Sequence, residues 1–371
     1  MSEPVDGCGD VRLDVMVERR TRGEKRDGHV GVGPRVGSGE REPPKSYDRH
    51  RTTQLRVLAC PRGYVQSMKP APDRRRVIAH ISDLHCGHPH FVPEMLDTAI
   101  EEVNDLDPDI VVVSGDLTGF GFLPDYELAR EYIDKITCEH VVTIPGNHDA
   151  RNVGYLHFED LFGPRNRVLH VDGVSVVAVD SSEPDLNEGC VGRGRYSWIR
   201  KQFAHPAELR VFVLHHHLVP IPRTGRERSM VTDSGDVLEL LAECGVDIVL
   251  SGHKHVPYAW QLEEMFVVNA GTVSTTRLRG RVKPSYNIIE ITRDQVTIDQ
   301  KVPGAGRERV ISFDPHSREY RKYVSEASGW APPVDNVSVV DHTGAGIGSG
   351  GGQGLSDAVR AAEDAESTTD P

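Results

Sequence analysis

Hydrophobic positions follow two alternating patterns along the middle of the chain. Short runs of apolar and β-branched residues, typical of buried strands, occupy residues 77–81, 110–113, 141–144, 211–214 and 248–250. Between the first three runs, apolar residues recur at helical spacing across 93–106 and 124–136, with a proline near the start of each segment. A third helix is predicted to begin at Asp233 and Ser234 and to end at Gly245, a typical C-terminal cap.

Antiparallel pairs are predicted beside this alternating pattern. Residues 168–179 read as a hairpin around Asp172 and Gly173. Residues 286–291 and 295–302 are predicted to form a final antiparallel pair, and no segment repeats another. Strands that alternate with helices indicate an α/β fold, in which the loops that follow parallel strands lie at one edge of the sheet.

Polar residues of a particular kind follow each strand-like run. They are carboxylates, amides and imidazoles, in the segments Asp83-Leu84-His85, Gly115-Asp116, Gly146-Asn147-His148-Asp149, His215-His216-His217 and Gly252-His253-Lys254-His255. Because the loops after the strands share one edge of the sheet, we expect these side chains to converge. Oxygen and nitrogen donors of this mixture suit two divalent cations about 3.5–4 Å apart.

Each of these segments also has an ordinary interpretation when it is taken alone. Asp116 could be a turn residue or a helix cap, and Asn147 in a Pro-Gly-Asn sequence is ordinary turn chemistry. A lone His85 or His255 is more often a surface or core histidine than a ligand. These interpretations do not predict the fixed order of five such segments, each after a predicted strand. That order gives no evidence of a functional role for four other residues, which we expect on loops or pocket walls: Cys86, His88, His90 and His217.

At these residues the chain resembles the calcineurin-like metallophosphoesterase superfamily. The pattern of that superfamily is Asp-X-His, Gly-Asp, Gly-Asn-His-Asp or Gly-Asn-His-Glu, a strand-end His and Gly-His-X-His, and all five blocks are present. The turn at Asn269-Ala270-Gly271-Thr272 matches the one that often follows the last block. The resemblance covers about residues 74–300 and implies a four-layer αββα sandwich of class α/β.

The resemblance also implies a set of metal ligands. One ion would be held by Asp83, His85 and His255, and the other by Asn147, His253 and a histidine of the 215–217 run. Asp116 would bridge the two ions. His215 comes directly after its strand and is the predicted ligand. His216 is the alternative, because a slip of one residue reverses the face to which a strand side chain points.

Two further roles follow from the same resemblance. His148 is predicted to act as general acid, or as a cation that stabilises the phosphoryl oxygens. Asp149 is predicted to orient His148, as a carboxylate commonly orients an active imidazole. The implied protein is a hydrolase, a binuclear phosphoesterase in which a hydroxide bridging two Mn²⁺, Fe²⁺ or Zn²⁺ ions attacks phosphorus.

The substrate is predicted to be a small-molecule phosphodiester. The short 146–149 block and the compact core are similar to those of small phosphodiesterases that act on cyclic nucleotides or glycerophosphodiesters. A phosphomonoesterase of the same fold is the alternative within this chemistry. A non-catalytic scaffold that binds metal or nucleotide is the alternative outside it, and such a scaffold would be expected to have lost ligands.

Composition narrows the choice of partners and compartment. The net charge of −13 disfavours broad nucleic-acid binding, although residues 277–283 are locally basic and could be a solvated loop or a rim that attracts phosphate. No apolar run approaches the roughly 20 residues that cross a membrane. The six scattered cysteines argue against a disulfide framework and for the cytoplasm. The oligomeric state stays open.

The two ends of the chain differ from its middle. Residues 1–73 are predicted to be a disordered, basic extension, and 1–67 hold 13 Lys and Arg against 10 Asp and Glu. Met68 lies just before the predicted domain at 74–330 and could be the true start of translation. Residues 331–371 are predicted to be a Gly-rich linker followed by an acidic tail.

Overall fold

The computed structural model describes residues 74–323, apart from 223, 225–228 and 280–281. The predicted N-terminal extension, the alternative start at Met68, and the predicted linker and tail therefore lie outside the described residues. So do two residues of the basic stretch 277–283, namely 280 and 281.

Thirteen strands and five helices lie along the described part of the chain. In chain order they are β1 (Arg76–Ile81), α1 (Pro93–Leu106), β2 (Ile110–Val113), α2 (Leu123–Ile133), β3 (Val141–Thr143), α3 (Gly154–Phe162), β4 (Arg167–Val171), β5 (Val174–Ala178), α4 (Tyr196–Phe203), β6 (Leu209–Val213), α5 (Ser234–Glu243), β7 (Ile248–Ser251), β8 (Tyr258–Leu262), β9 (Met265–Asn269), β10 (Tyr286–Ile291), β11 (Val296–Lys301), β12 (Arg307–Phe313) and β13 (Tyr320–Lys322). A short 3₁₀ turn, Arg193–Arg195, precedes α4.

The strands form two mixed sheets. The first has seven strands in the order β13-β12-β11-β10-β1-β2-β3, and the second has six in the order β4-β5-β6-β7-β9-β8. Strands β1, β2 and β3 run parallel to one another, as do β5, β6, β7 and β9. Parallel neighbours deliver their following loops to one edge of each sheet, which is where the polar segments lie.

The two sheets pack face to face, with helices on both outer sides. Ile78 of β1 faces the inter-sheet core with residues of the second sheet such as Val211. Its neighbour Ala79 packs with α1, α2 and α3, because successive strand side chains point to opposite faces. Helices α4 and α5 cover the outer face of the second sheet. The predicted four-layer αββα sandwich is confirmed.

Several predicted elements match the structure, and others were wrong or missing. Helices α1 and α5 and the β4–β5 hairpin lie where they were predicted. Helix α2 ends at Ile133, three residues earlier than expected. The β10–β11 pair is not the last one, because β12 and β13 extend the same sheet. The sequence also gave no clear signal for α3, α4, β8 and β9.

Two observations bear on the expected compartment. No helix among the described residues is both long enough and apolar enough to cross a bilayer. Cys86, Cys138 and Cys244 are free thiols, but Cys190 is disulfide-bonded. The scattered spacing therefore did not exclude every disulfide, and the cytoplasmic location stays a prediction.

Candidate metal centre

The polar segments converge at the edge shared by the parallel strands of both sheets. Three groups of side chains have potential ligand atoms that all lie within 4.8 Å of one another: Asp83 with His85 and His255, His85 with Asp116 and His148, and Asp116 with His215 and His253. Each group shares a residue with the next. Six of the seven predicted metal ligands and His148 thus form one cluster, and Asn147 joins it through His215 and His253.

The first half of the cluster is built by Asp83, His85 and His255. The Oδ1 atom of Asp83 lies 3.3 Å from Nε2 of His255 and 3.8 Å from Nε2 of His85. The two Nε2 atoms approach each other to 2.9 Å. Burial opposes protonation of His255, but the Asp83 carboxylate outweighs it and raises the pKa of His255 above its ordinary value. Asp83 therefore favours positive charge on His255, whereas burial lowers the pKa of His85 well below its ordinary value.

The second half is built by Asn147, His215 and His253. The Oδ1 atom of Asn147 lies 2.8 Å from Nδ1 of His253 and 3.2 Å from Nε2 of His215. Against the effect of burial, the carboxylate of Asp116 raises the pKa of His215 to about 9. Asp116 therefore favours positive charge on His215, whereas burial lowers the pKa of His253 well below its ordinary value.

Asp116 lies between the two halves. Its Oδ2 atom is 3.6 Å from Nε2 of His85 and 3.3 Å from Nε2 of His215. Its Oδ1 atom accepts a hydrogen bond of 2.8 Å from the backbone N–H of His148. Burial would raise the pKa of Asp116, but His215 and His148 hold it well below its usual range. A single carboxylate thus faces both halves of the cluster.

Backbone strain is concentrated at these residues. Five of the seven predicted ligands have left-handed backbones, with φ of 57° at Asp83, 51° at His85, 52° at Asp116, 73° at His253 and 56° at His255. Each such conformation of a non-glycine residue costs on the order of 1 kcal/mol or more. Strain of this kind persists where surrounding contacts impose it, and it is typical of functional sites.

Two glycines of the motifs allow this crowding. A Cβ atom on Gly146 would clash with Oδ1 of Asp116, and one on Gly252 would lie 2.5 Å from Oδ2 of Asp83. The loops of the two sheets can approach each other only because these positions carry no side chain. The glycines of the Gly-Asn-His-Asp and Gly-His-X-His blocks therefore have a steric role.

The structure distinguishes between His215 and His216. The Nδ1 atom of His215 bonds to the carbonyl of Ser114 at 2.8 Å, which leaves Nε2 facing Asp116 and Asn147. The Nδ1 atom of His216 instead lies 2.8 Å from the hydroxyl of Ser181. The geometry favours His215 as the ligand.

The predicted partner of His148 was wrong. The Nδ1–H of His148 donates to the carbonyl of Gly119 at 2.6 Å. The Asp149 carboxylate accepts bonds of 2.8–2.9 Å from the N–H groups of Leu117, Thr118 and Gly146. Asp149 therefore ties the loop after β2 to the loop after β3 and does not orient His148. Burial and the nearby Asp116 raise the pKa of Asp149 to about 7.

Three residues at the rim were not predicted as parts of the site. Nδ2 of Asn147 donates to Oδ1 of Asn187 at 3.4 Å, and the same oxygen accepts a bond of 3.2 Å from the guanidinium of Arg151. The carbonyl of Arg277 accepts a bond of 2.7 Å from Nδ1 of His255. No motif could have identified Asn187, because it lies in an irregular segment after β5.

The structure also places Cys86, His88 and His90, which were expected on loops or pocket walls. Cys86 is fully buried, and burial raises the pKa of its thiol far above the ordinary value. Cys86 is therefore a protonated core residue. His88 and His90 lie at the rim, where the two rings are near-parallel with centroids 5.4 Å apart.

The donor set fits two divalent cations. Carboxylate, amide and imidazole groups are the ligands that Mn²⁺, Fe²⁺ and Zn²⁺ accept, and no thiolate is involved. His215 and His255 each use Nδ1 on a backbone carbonyl, which fixes the tautomer that presents Nε2 to a metal. The two halves of the cluster lie on either side of Asp116.

Comparison with known proteins agrees with this geometry. The profile of the family described as "Calcineurin-like phosphoesterase" matches residues 76–257, a segment that contains every predicted ligand and His148. The matched segment, residues 76–257, belongs to this family, and the chain is a hydrolase that acts on phosphoester bonds.

Individual relatives are more distant. A cAMP/cGMP dual specificity phosphodiesterase of Mycobacterium tuberculosis is 25% identical over 299 residues, which are 74% of this chain and 92% of that protein. A glycerophosphodiester phosphodiesterase of Enterobacter lignolyticus is 26% identical over 48% of this chain and 70% of its own length. A purple acid phosphatase from yellow lupin has the same fold, with a TM-score of 0.53, 16% identity, and coverage of 72% of this chain and 58% of that chain.

Proposed function

We propose that this chain is a binuclear metal-dependent phosphodiesterase that hydrolyses a small-molecule phosphodiester, such as a cyclic nucleotide or a glycerophosphodiester. The observation that carries the proposal is the position of Asp116. One of its carboxylate oxygens lies 3.6 Å from His85 on one side and 3.3 Å from His215 on the other. The names of the relatives from Mycobacterium tuberculosis and Enterobacter lignolyticus support a diester as the substrate.

The proposed ligands divide into two sets joined by Asp116. One ion would be held by Asp83, His85 and His255, and the other by Asn147, His215 and His253. When bound, two such ions lower the pKa of a water molecule and neutralise charge at phosphorus. Mn²⁺, Fe²⁺ and Zn²⁺ all suit this donor set.

His148 is the proposed proton donor. Its Nδ1–H is held by the carbonyl of Gly119, so Nε2 is the atom that is available to a substrate. Burial lowers the pKa of His148, while Asp116 acts in the opposite direction. The net shift is downward, and a bound phosphate anion would favour the imidazolium. Nε2–H of that imidazolium would donate to the leaving oxygen or to a non-bridging oxygen.

Asp149 is proposed to support the reaction only by holding other residues of the site in place. Its carboxylate holds Leu117, Thr118 and Gly146, and these residues neighbour Asp116 and Asn147 in the chain. Loss of that carboxylate would therefore displace two ligands at once. The residue is a positioning residue for the metal centre.

The direct test compares a diester with a monoester. Bis(p-nitrophenyl) phosphate and p-nitrophenyl phosphate would be supplied to wild type, Asp116→Ala and the exposed control Asp294→Ala, with Mn²⁺ and with chelator. We expect metal-dependent diester cleavage in wild type and control and its loss in Asp116→Ala. Faster monoester cleavage would favour the phosphomonoesterase alternative. Bound metal without any turnover would favour the non-catalytic scaffold.

A further inference from the structure

A row of four aromatic rings borders the metal centre, formed by His90, His88, Phe120 and Phe122. The His88 ring is near-parallel to the rings of His90 and Phe120, with centroids 5.4 Å apart in both cases. The Phe120 and Phe122 rings are 6.3 Å apart. His88 also lies 5.9 Å from the ring of His85, a proposed ligand. The row therefore meets the metal centre at His88.

The row ends in solvent. The Phe122 side chain is 52% exposed, and Leu123 beside it is 42% exposed. Single exposed apolar residues are common, but an exposed apolar patch that adjoins a polar cleft is typical of a binding site. This patch continues directly from the ligand His85 through His88 and Phe120, so it belongs to the entrance of the centre.

The backbone that carries the row also orients His148. The carbonyl of Gly119 accepts the Nδ1–H of His148, and Phe120 is the next residue. The carbonyl of Phe120 is held in turn by the side-chain amide of Asn152 at 3.0 Å. A molecule that packs on the row is therefore held in register with the imidazole that faces the phosphate.

Charge at the row selects among the flat or apolar groups that aromatic rings bind. Two of the four rings are imidazoles, and Arg277 adjoins the row, because the hydroxyl of its neighbour Thr276 lies 3.5 Å from Nδ1 of His90 and its own carbonyl bonds to His255. Aromatic rings also bind quaternary ammonium groups, but the positive charge of Arg277 disfavours such a cation. A neutral, flat, electron-rich ring is favoured.

We propose that the row of His90, His88, Phe120 and Phe122 is the subsite for the nucleobase of a nucleotide diester. This inference rests on the proposed function and deepens it, because it selects a nucleoside-bearing substrate over a glycerol-based one. Stacking of a base on protein aromatic rings contributes about 1–3 kcal/mol, which corresponds to roughly 5- to 150-fold in affinity. A glycerophosphodiester has no ring with which to use this surface.

The test measures binding, so it does not depend on turnover. Dissociation constants for AMP and for ribose 5-phosphate would be measured by calorimetry on the Mn²⁺-loaded protein. We expect AMP to bind at least about fivefold more tightly than ribose 5-phosphate. The variant Phe120→Leu/Phe122→Leu keeps apolar volume but removes both phenyl rings. It is expected to bring the two constants close together by weakening AMP alone.

The control is Leu156→Ala, which removes an exposed apolar side chain of α3 outside the row. It should keep the wild-type preference for AMP. Equal affinity of wild type for AMP and ribose 5-phosphate would overturn the subsite, and so would a preference that survives in the Phe120→Leu/Phe122→Leu variant. Tighter binding of phosphocholine than of AMP would assign the row to an ammonium group instead.

The outcome is separable from that of the proposed function. A protein that prefers AMP through these rings, yet cleaves no diester, would retain the base subsite and contradict the phosphodiesterase proposal. A protein that cleaves bis(p-nitrophenyl) phosphate but does not distinguish AMP from ribose 5-phosphate would support the phosphodiesterase proposal and contradict the base subsite.

Discussion

Three histidines of the centre are held by backbone carbonyls. Nδ1 of His148, His215 and His255 bonds to the carbonyls of Gly119, Ser114 and Arg277, at 2.6, 2.8 and 2.7 Å respectively. Each bond fixes the tautomer and the ring orientation, so that Nε2 faces the cluster. These orienting groups belong to the main chain, and substitution of a neighbouring side chain does not remove them.

The amide of Asn147 depends on a side chain instead. An asparagine coordinates a metal only through Oδ1, and the bond from its Nδ2 to Oδ1 of Asn187 keeps that oxygen turned toward His253 and His215. We expect Asn187→Leu to weaken binding of the Mn²⁺ ion that Asn147 is proposed to hold, about 10- to 100-fold. Calorimetric titration with Mn²⁺ measures this affinity.

Two variants separate positioning from folding at this site. Asn187→Asp keeps an acceptor oxygen and should retain near wild-type affinity, and Glu188→Leu changes the exposed neighbour and should have no effect. Because Asn187 is exposed, the melting temperature of the metal-free protein should not change. Equal metal affinity in Asn187→Leu and wild type would remove Asn187 from the centre.

His80 makes a prediction about acid stability. It is fully buried between Ser114 and Asn287, and burial lowers its pKa from 6.5 to about 3. The unfolded chain takes up a proton as the pH falls below 6.5, whereas folded His80 stays neutral down to about pH 3. Stability is therefore present above pH 6.5 and is lost below it, by about 2 kcal/mol between pH 7 and pH 5.

The measurement is urea unfolding at pH 7 and pH 5 in chelator. His80→Gln should lose about 2 kcal/mol less than wild type over this interval, and the exposed control His316→Gln should follow wild type. An identical loss in His80→Gln and wild type would show that His80 does not remain neutral in the folded protein.

At the scale of elements, the irregular segment after β5 braces the loop after β6. The backbone N–H of Gly189 donates to the carbonyl of Met230, and Thr232 donates to the carbonyl of Gly189. A Cβ atom on Gly189 would lie 2.5 Å from the ring of His216. His216 is the neighbour of the proposed ligand His215, so this contact bears on the metal centre.

Gly189→Ala is therefore expected to destabilise the fold by about 1–3 kcal/mol, the usual cost of overpacking a buried site. The matched control is Gly194→Ala, because a Cβ atom at Gly194 meets nothing within 4 Å. Urea unfolding of both variants gives the comparison. Equal stability of the two variants would mean that the irregular segment after β5 shifts to accommodate the methyl group without a loss of stability.

The elements that could be predicted from the sequence are those with a strong local pattern. Strands such as β2, with four buried apolar residues in a row, carry the continuous signal of a strand covered on both faces. Helix α3 has neither a side-chain cap nor an acidic first turn, so its start leaves no local mark. Strand β12 is buried at one end only. It is a strand because it pairs with β11, and no local sequence pattern predicts that pairing.

The features of the site also divide into those that could be predicted from the sequence and those that could not. The convergence of polar residues at strand ends could be predicted, because the fold class carries strand ends to one edge. The partner of His148 could not, because a carbonyl such as that of Gly119 is selected by loop geometry and not by residue type. The same reason explains the error at Asp149, whose carboxylate follows the N–H groups of Leu117, Thr118 and Gly146.

At the scale of the whole molecule, the centre joins the two sheets. Asp83, Asp116 and Asn147 follow strands of the first sheet, whereas His215 and His253 follow strands of the second. Metal binding is therefore expected to stabilise the sandwich as a whole, by about 2.7 kcal/mol at a free metal concentration 100-fold above the dissociation constant.

Thermal scans with Mn²⁺ and with chelator measure this coupling. The melting temperature of wild type should rise with Mn²⁺, while that of Asp116→Asn should rise much less because a charged ligand is lost from both halves. A melting temperature that does not depend on metal in wild type would contradict a site that links the sheets.

The measurement that tests the central claim most directly is a titration of activity with metal. Chelator-treated protein at a known concentration would receive Mn²⁺ in steps, and the rate of bis(p-nitrophenyl) phosphate cleavage would be followed at each step. The account predicts a rate that reaches its plateau at two equivalents of metal per chain. A plateau at one equivalent, or cleavage that does not depend on metal, would contradict a binuclear centre built around Asp116.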